Sequence, residues 1–313
     1  MKEDNPAQPP IFIHAWWRSG STYIWAKLRQ SPHLCCYYEP FHEQLKRPDL
    51  REFQLSRQDQ ISAALRHPEV DRHYFEEYTP LVSAGQLQFL ERFAYQSWHL
   101  RRDQDDGELR DYLQRLIGSA NREGRRPVLC FVRSQLRCDW IQQNCGGVQI
   151  GQIRNPLSQW RSFGVLPYFR MHLSEINSGL HEKFPELFSR DCTSNEDQWN
   201  TFMTLYVLQL LKMLSTADFV LDIDCLTAKE SYRRMTQQFF LDYHIAVDFA
   251  DCECPISDAD VRLDSVLAPW VRKMRAHAKL ICGKILHFDH DNAMRNSETI
   301  QPGLRNAIES LIR

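Results

Sequence analysis

The stretch "IFIHAWWRSGSTYIWAKLRQ", which begins at residue 11, restricts the possible folds more than any other part of the chain. Its apolar run, residues 11–13, follows two prolines and predicts a buried strand. Apolar side chains at helical spacing, residues 24–28, predict a helix that Pro32 ends. Only a short turn of small residues, 19–22, separates the two. The chain therefore passes directly from strand through a tight turn into a helix.

This alternation of strand and helix continues along the chain. Further strands are predicted at residues 34–38, 128–132 and 148–153, and in "ADFVLDID", residues 217–224. The helix predicted for residues 195–214 is apolar nearly all round, which indicates a central, buried position. Strands alternating with helices favour an α/β fold with three layers, in which helices cover both faces of a parallel sheet. Ligands of such sheets bind at the carboxyl ends of the strands.

One domain accounts for most of the chain. The 313 residues, 43% hydrophobic and 25% charged, suffice for one large α/β domain, which we assign to residues 11–313. The polar, proline-rich segment before it, residues 1–10, is predicted to be a disordered lead. Two segments, residues 44–126 and 165–195, are predicted to be helical insertions on the ligand side of the sheet.

The composition excludes several classes of function. A net charge of −2 gives no general attraction for nucleic acid. No apolar run approaches the roughly 20 residues that span a bilayer, and the start of the chain lacks the apolar core of a signal peptide. Ten cysteines without such a signal indicate reduced thiols and a cytoplasmic protein. We predict no metal site, because five possible zinc ligands match no known spacing: Cys252, Cys254, Cys282, His287 and His290.

The first turn combines small, hydroxyl-bearing and cationic residues. We call residues 18–23 the first cationic turn; they are Arg18, Ser19, Gly20, Ser21, Thr22 and Tyr23. A helix start exposes unpaired N–H groups at the positive end of the helix dipole, and a glycine lets a ligand approach the backbone. This pattern predicts a site for phosphate or sulfate. An ordinary connection with a Ser or Thr N-cap is the alternative.

A second turn repeats this chemistry. We call residues 154–162 the second cationic turn: Arg154 follows a strand, Pro156 opens a helix, and Ser162 lies further along it. Taken alone, an N-capped helix with a surface arginine explains it equally well. Two such turns on one sheet instead suggest a ligand with two separated anionic groups.

These segments resemble the sulfotransferases that use 3′-phosphoadenylyl sulfate (PAPS). "RSGSTY" is similar to the family's motif for the 5′-phosphosulfate, and residues 154–162 are similar to its motif for the 3′-phosphate. "FVRSQLR" resembles the strand-end segment between these motifs, and the likeness extends over about residues 11–249. It implies a P-loop NTPase-like fold, PAPS as the donor, no metal, and insertions that cover the acceptor.

The resemblance also implies roles for individual residues. Cytosolic members of the family carry a catalytic histidine where this chain has Gln135, and an amide cannot act as a base. Members that act on carbohydrates or on protein tyrosine carry an acidic residue after the second strand, which Glu39 matches. Glu39 is therefore the expected base, with His42 as the fallback. Arg18 is expected to stabilise the leaving oxygen, and Arg133 to hold the sulfonate end.

Two other functions stay open at this point. Asp222 and Asp224 form an Asp-x-Asp pair, which metal-dependent glycosyltransferases use to bind a nucleotide-sugar. A non-catalytic relative that still binds the nucleotide is the other alternative, and it is favoured by Gln135. The acceptor is expected to be a carbohydrate or another small molecule. Trp17 or Tyr23 is available for the adenine ring.

Overall fold

A computed structural model describes residues 8–46, 72–164, 167–252, 263–285 and 287–312. These residues form an α/β fold in which helices flank a sheet of five strands, all parallel. The predicted α/β class with a parallel sheet is confirmed. Predictions for residues 1–7, 47–71 and 165–166 lie outside the described residues, and the division into one domain with insertions stays a prediction.

The strands agree with the apolar runs of the sequence, with some ends displaced by one or two residues. The sheet has the order β2-β3-β1-β4-β5, and every strand residue is buried, as expected where helices cover both faces. The strands are β1 (Ile11–His14), β2 (Leu34–Tyr38), β3 (Arg126–Phe131), β4 (Val148–Ile153) and β5 (Phe219–Asp222).

Helices connect the strands and follow the last of them. They are α1 (Ser21–Arg29), α2 (Thr79–Ser83), α3 (Arg92–Tyr95), α4 (Gly107–Arg122), α5 (Cys138–Cys145), α6 (Pro156–Phe163), α7 (Pro167–Lys183), α8 (Asn195–Thr216), α9 (Ile223–Ala228), α10 (Glu230–Asp242), α11 (Leu263–Ala276), α12 (Ala278–Leu280), α13 (His290–Ser297) and α14 (Pro302–Ile312). Short 3-10 turns occupy Glu43–Lys46, Glu76–Tyr78 and Gln135–Arg137, and Ile281–Ile285 forms a π-helical turn.

The predicted central helix is α8. Its residues 201–216 are all buried, which confirms the position expected from its apolar surface. Even Lys212 is buried there, where it pairs with Asp139 at 2.8 Å. Within the described part of residues 44–126, α4 is the one helix longer than two turns.

The strand order sets the position of a ligand site. From β1, at the centre, the chain leads to β2 on one side of the sheet, and from β4 it leads to β5 on the other. The carboxyl ends of β1 and β4 therefore flank a topological switch point, where a crevice opens. The first cationic turn follows β1 and the second follows β4, so both lie at this crevice.

Two general expectations concern membranes and thiols. No helix within the described ranges is long and apolar enough to cross a membrane. The cysteines that the structure describes are all free thiols.

The histidine that ends β1 gives a pH-dependent prediction for stability. His14 is fully buried, with Nδ1 2.6 Å from Ser134 Oγ and Nε2 2.9 Å from Gln149 Oε1. Burial lowers the pKa of His14 from 6.5 to about 4, so the unfolded chain takes up this proton first as pH falls. The contribution of neutral His14 to stability is therefore full above the unfolded pKa and lost as pH falls through the window between the two values.

His14→Gln should remove this dependence, because glutamine does not titrate. Between about pH 7 and pH 5, the free energy of unfolding of the native protein should fall about 2 kcal/mol more than that of the variant. Urea unfolding at both pH values measures the difference. Equal slopes for the two proteins would show that His14 is not held neutral by the fold.

Candidate functional site

The backbone of the first cationic turn has a conformation suited to an anion. Arg18 and Gly20 adopt left-handed φ values of 66° and 87°. Left-handed residues alternating with right-handed ones turn neighbouring N–H groups toward a common point. No side chain caps α1, whose N-cap residue is Gly20. The N–H of Tyr23 donates to the Gly20 oxygen at 3.1 Å, so the N–H groups that a ligand could reach at the start of α1 are those of Ser21 and Thr22.

The two cationic turns contact each other directly. Arg18 Nε donates a hydrogen bond to Ser162 Oγ at 2.7 Å, across 144 residues of sequence. Arg154 Nη1 donates to the backbone oxygen of Arg18 at 3.2 Å. The structure thus brings together the residues that the sequence indicated separately, Arg18 from one motif and Arg154 and Ser162 from the other.

The remaining side chains of the first turn divide into two groups. Ser19 and Thr22 are buried, and their hydroxyls bond to the Trp16 oxygen (2.6 Å) and the Tyr38 hydroxyl (3.1 Å), so in this structure they hold the turn. Ser21 is half-buried at the edge. Tyr23 is also half-buried and donates its hydroxyl hydrogen to Asp251 at 2.8 Å.

Glu39 lies at the carboxyl end of β2 in a strained conformation. Its φ is 41°, unusual for a residue with a side chain, and its N–H bonds to the Cys130 oxygen at 2.9 Å. The hydroxyl of Tyr168 lies close enough to both Glu39 and Arg18 to be affected by their charges. Burial, followed by the Glu39 carboxylate, raises the pKa of Tyr168 to about 12, and the Arg18 guanidinium opposes that rise. Glu39 and Arg18 therefore both act on one hydroxyl at the carboxyl edge of the sheet.

His42 is the neighbour of Glu39. Burial lowers its pKa, which favours the neutral ring. Nδ1 accepts the N–H of Gln44 at 3.2 Å, so the ring proton is on Nε2, 3.9 Å from Glu39 Oε2. The accepting nitrogen of His42 is already used, and its other nitrogen lies near Glu39 but beyond hydrogen-bond distance of it.

The sequence suggested that Arg133 would be available to hold the sulfonate end of the donor, but its side chain is buried and ion-paired. It is 3% exposed, its Nη1 lies 2.6 Å from Glu43 Oε2, and its guanidinium lies over the rings of Trp17 (5.2 Å) and Tyr95 (5.7 Å). Burial opposes ionisation of Glu43, but the neighbouring His42 ring and Arg133 guanidinium outweigh burial and lower its pKa to about 2. The charge of Arg133 is therefore balanced by a carboxylate that sequence reasoning missed.

Aromatic side chains from both predicted insertions meet beside this ion pair. The His172 ring lies 5.7 Å from that of Trp17 and 5.9 Å from those of Tyr95 and Tyr168. Tyr95 and Tyr168 are half-buried, so part of each ring is exposed beside the site. Trp98 is 4% exposed, and its ring lies 5.5 Å from that of Trp17.

The Asp-x-Asp pair has structural partners. Asp222 is fully buried; Oδ1 accepts the N–H groups of Asp224 (3.0 Å) and Cys225 (3.2 Å), and Oδ2 accepts that of Gln301 (3.0 Å). Asp224 Oδ2 accepts the N–H of Asn155 at 2.5 Å. Burial raises the pKa of Asp222 to about 6. Asp222 thus caps α9, and Asp224, in the first turn of α9, ties that helix to the second cationic turn.

Metal ligands are not assembled in the part of the chain that the structure describes. No group of three or more His, Cys, Asp or Glu side chains there could hold an ion. Of the five possible zinc ligands, Cys254 lies outside the described residues.

Two glutamines that the sequence analysis missed also support the first turn. Gln152 Nε2 donates to the Ser19 oxygen at 2.8 Å, and Gln159 Nε2 donates to the Trp17 oxygen at 2.7 Å. Both are buried, and Gln152 lies inside a strand with no exposed residue. Glutamine is mostly exposed in proteins, so the position of Gln152 within a predicted buried strand was the signal that could have revealed its structural role.

Neither a scan against protein-family models nor a search of curated proteins found a match to this chain.

Proposed function

We propose that the protein is a sulfotransferase of P-loop NTPase-like architecture. It would move a sulfuryl group from PAPS to a hydroxyl of a carbohydrate or another small molecule. The contact between Arg18 Nε and Ser162 Oγ, 2.7 Å, carries this proposal. Two anion-binding turns that touch at one switch point suit a nucleotide with a 5′-phosphosulfate and a 3′-phosphate.

The residues present fit this donor. The first cationic turn would hold the 5′ end with Arg18 and the N–H groups at the start of α1, and Arg154 and Ser162 would hold the 3′-phosphate. Trp17 is 6% exposed and enclosed by other rings, whereas Tyr23 is half-buried with its ring 6.4 Å from that of Phe249. Tyr23 is therefore the better candidate for the adenine ring.

The chain's own groups supply the chemistry of an in-line displacement. Glu39 takes the proton of the acceptor hydroxyl, since a carboxylate at this edge is a sufficient base. Arg18 stabilises the negative charge that develops on the leaving oxygen. Tyr95 and Tyr168 bind the acceptor ring, and His42 orients Glu39. The ion pair of buried Arg133 with half-buried Glu43 lies beside this acceptor side.

A metal-dependent glycosyltransferase is less well supported. In that reading Asp222 and Asp224 would present their oxygens to a cation. Here both oxygens of Asp222 and one of Asp224 already accept backbone N–H groups. That reading also assigns no role to either cationic turn.

The test begins with ligand binding and then measures transfer. Saturating 3′,5′-diphosphoadenosine should raise the melting temperature by about 5 °C, and a nucleotide-sugar with Mn²⁺ should not. Sugars, phenols and peptides are then screened as acceptors with labelled PAPS. EDTA should leave transfer largely intact, because arginines and helix ends neutralise the donor. A strict requirement for Mn²⁺ or Mg²⁺, or stabilisation by the nucleotide-sugar alone, would contradict the proposal and favour the glycosyltransferase.

A further inference from the structure

The first cationic turn is held through three successive backbone oxygens, each by a side chain of β4 or of the second cationic turn. The bonds run from Gln159 Nε2 to the Trp17 oxygen (2.7 Å), from Arg154 Nη1 to the Arg18 oxygen (3.2 Å) and from Gln152 Nε2 to the Ser19 oxygen (2.8 Å). All three oxygens are therefore turned toward β4 and α6.

The direction of these oxygens fixes the direction of the N–H groups. In a planar trans peptide the C=O and the following N–H point in opposite directions. The bond from Gln152 to the Ser19 oxygen therefore turns the Gly20 N–H away from β4. Gly20, at φ 87°, has no Cβ to resist rotation of the peptide before it. A rotated Ser19–Gly20 peptide would direct an oxygen, and not an N–H, at the anion.

We propose that Gln152 is a positioning residue that holds the Ser19–Gly20 peptide in the orientation that binds the 5′ anion. This inference rests on the proposed function for the identity of the nucleotide. Gln152 would touch neither donor nor acceptor and would act through the Gly20 N–H.

A second observation separates this role from a purely structural one. Gln152 is 1% exposed, and its Oε1 has no hydrogen-bond partner. A buried amide oxygen without a partner lowers stability, so an apolar side chain of similar length would serve the fold at least as well. The NH₂ group of the Gln152 amide bonds to the turn, while its oxygen is left without a partner. A role in stability alone does not explain why the fold keeps an amide at this position.

The test compares Gln152→Met with the native protein. The variant should melt at the same temperature or higher, and its affinity for 3′,5′-diphosphoadenosine should fall about tenfold. Its affinity for adenosine 3′-phosphate, which lacks the 5′ group, should not change. Gln152→Glu should lose more, because a carboxylate repels the Ser19 oxygen. Gln142→Met is the matched control, since Gln142 donates to the Thr216 oxygen at 3.3 Å, on another helix.

The outcomes separate the two proposals. Equal losses for both nucleotides, or an unchanged affinity ratio in Gln152→Met, would overturn the positioning role. If the native protein binds neither nucleotide, the proposed function fails, and inorganic pyrophosphate becomes the probe. Weaker pyrophosphate binding by Gln152→Met than by Gln142→Met then supports the positioning role. Equal binding, or no binding to the native protein, overturns that role as well.

Discussion

Replacing Glu39 with glutamine should lower the rate of sulfuryl transfer by about 10²–10⁴-fold and leave donor affinity nearly unchanged. Glutamine keeps the size of the side chain but cannot accept the proton of the acceptor hydroxyl. The fold gives this carboxylate a strained backbone at the end of β2, with φ 41°. Single-turnover transfer with labelled PAPS, after an acceptor has been found, measures the rate separately from binding.

Two further variants define what this result means. Glu175→Gln makes the same chemical change at the edge of the site, where Glu175 is 48% exposed and bonds to His172, and it should change the rate by less than about twofold. His42→Ala should have a smaller effect than Glu39→Gln, because His42 only orients the base. A native rate in Glu39→Gln with a large loss in His42→Ala would make His42 the base. Binding of 3′,5′-diphosphoadenosine with no acceptor found would favour the non-catalytic relative.

Local sequence patterns predicted the strands because each strand is buried on both faces and carries closely spaced apolar side chains, even in β4, which also holds two glutamines. The run that became β2, residues 34–38, and the run that became β4, residues 148–153, needed no tertiary information. The two cationic turns could be predicted for a related reason. A turn between a strand and a helix exposes the N–H groups at the helix start wherever it occurs. Arg18 and Arg154, each beside such a turn, could therefore be predicted to bind an anion from the local sequence alone.

Partners that are distant in sequence could not be predicted in this way. The carboxylate that neutralises Arg133 belongs to Glu43, which the sequence does not distinguish from other acidic residues of a polar segment. Asp222 shows a related limit. Its place in an Asp-x-Asp pair left a metal-dependent alternative open, but a carboxylate at a strand end serves equally well as a helix cap, and the fold uses it so.

Gln135 shows the same limit at the position where cytosolic sulfotransferases carry histidine. Its side chain is fully buried, and neither amide atom has a hydrogen-bond partner. Sequence comparison could say that this residue is not a base. Only the structure shows that the position itself is closed to solvent, whereas 11% of the side chain of Glu39, the expected base, is exposed at the carboxyl end of β2.

Replacing Arg154 with alanine should remove most of the preference for 3′,5′-diphosphoadenosine over AMP. We expect a loss of about 2–4 kcal/mol in binding, roughly 30- to 1000-fold in Kd, for a desolvated charge-assisted contact. The side chain is 11% exposed, with Nε 4.0 Å from Asp224 Oδ1 and Nη1 bonded to the Arg18 oxygen. Titration calorimetry with both nucleotides gives the two affinities.

The ratio of the affinities for 3′,5′-diphosphoadenosine and AMP is more informative than either affinity alone. Arg154 also supports the Arg18 peptide, so Arg154→Ala should lower the affinity for AMP as well, but only loss of the 3′-phosphate contact makes the two affinities equal. Arg154→Lys keeps the charge without the planar guanidinium and should retain part of the preference. Arg161→Ala removes an exposed arginine of α6 and should retain all of it. A native protein that binds AMP as tightly as the diphosphate would refute the two-phosphate site, since the second cationic turn would then contribute nothing to donor binding.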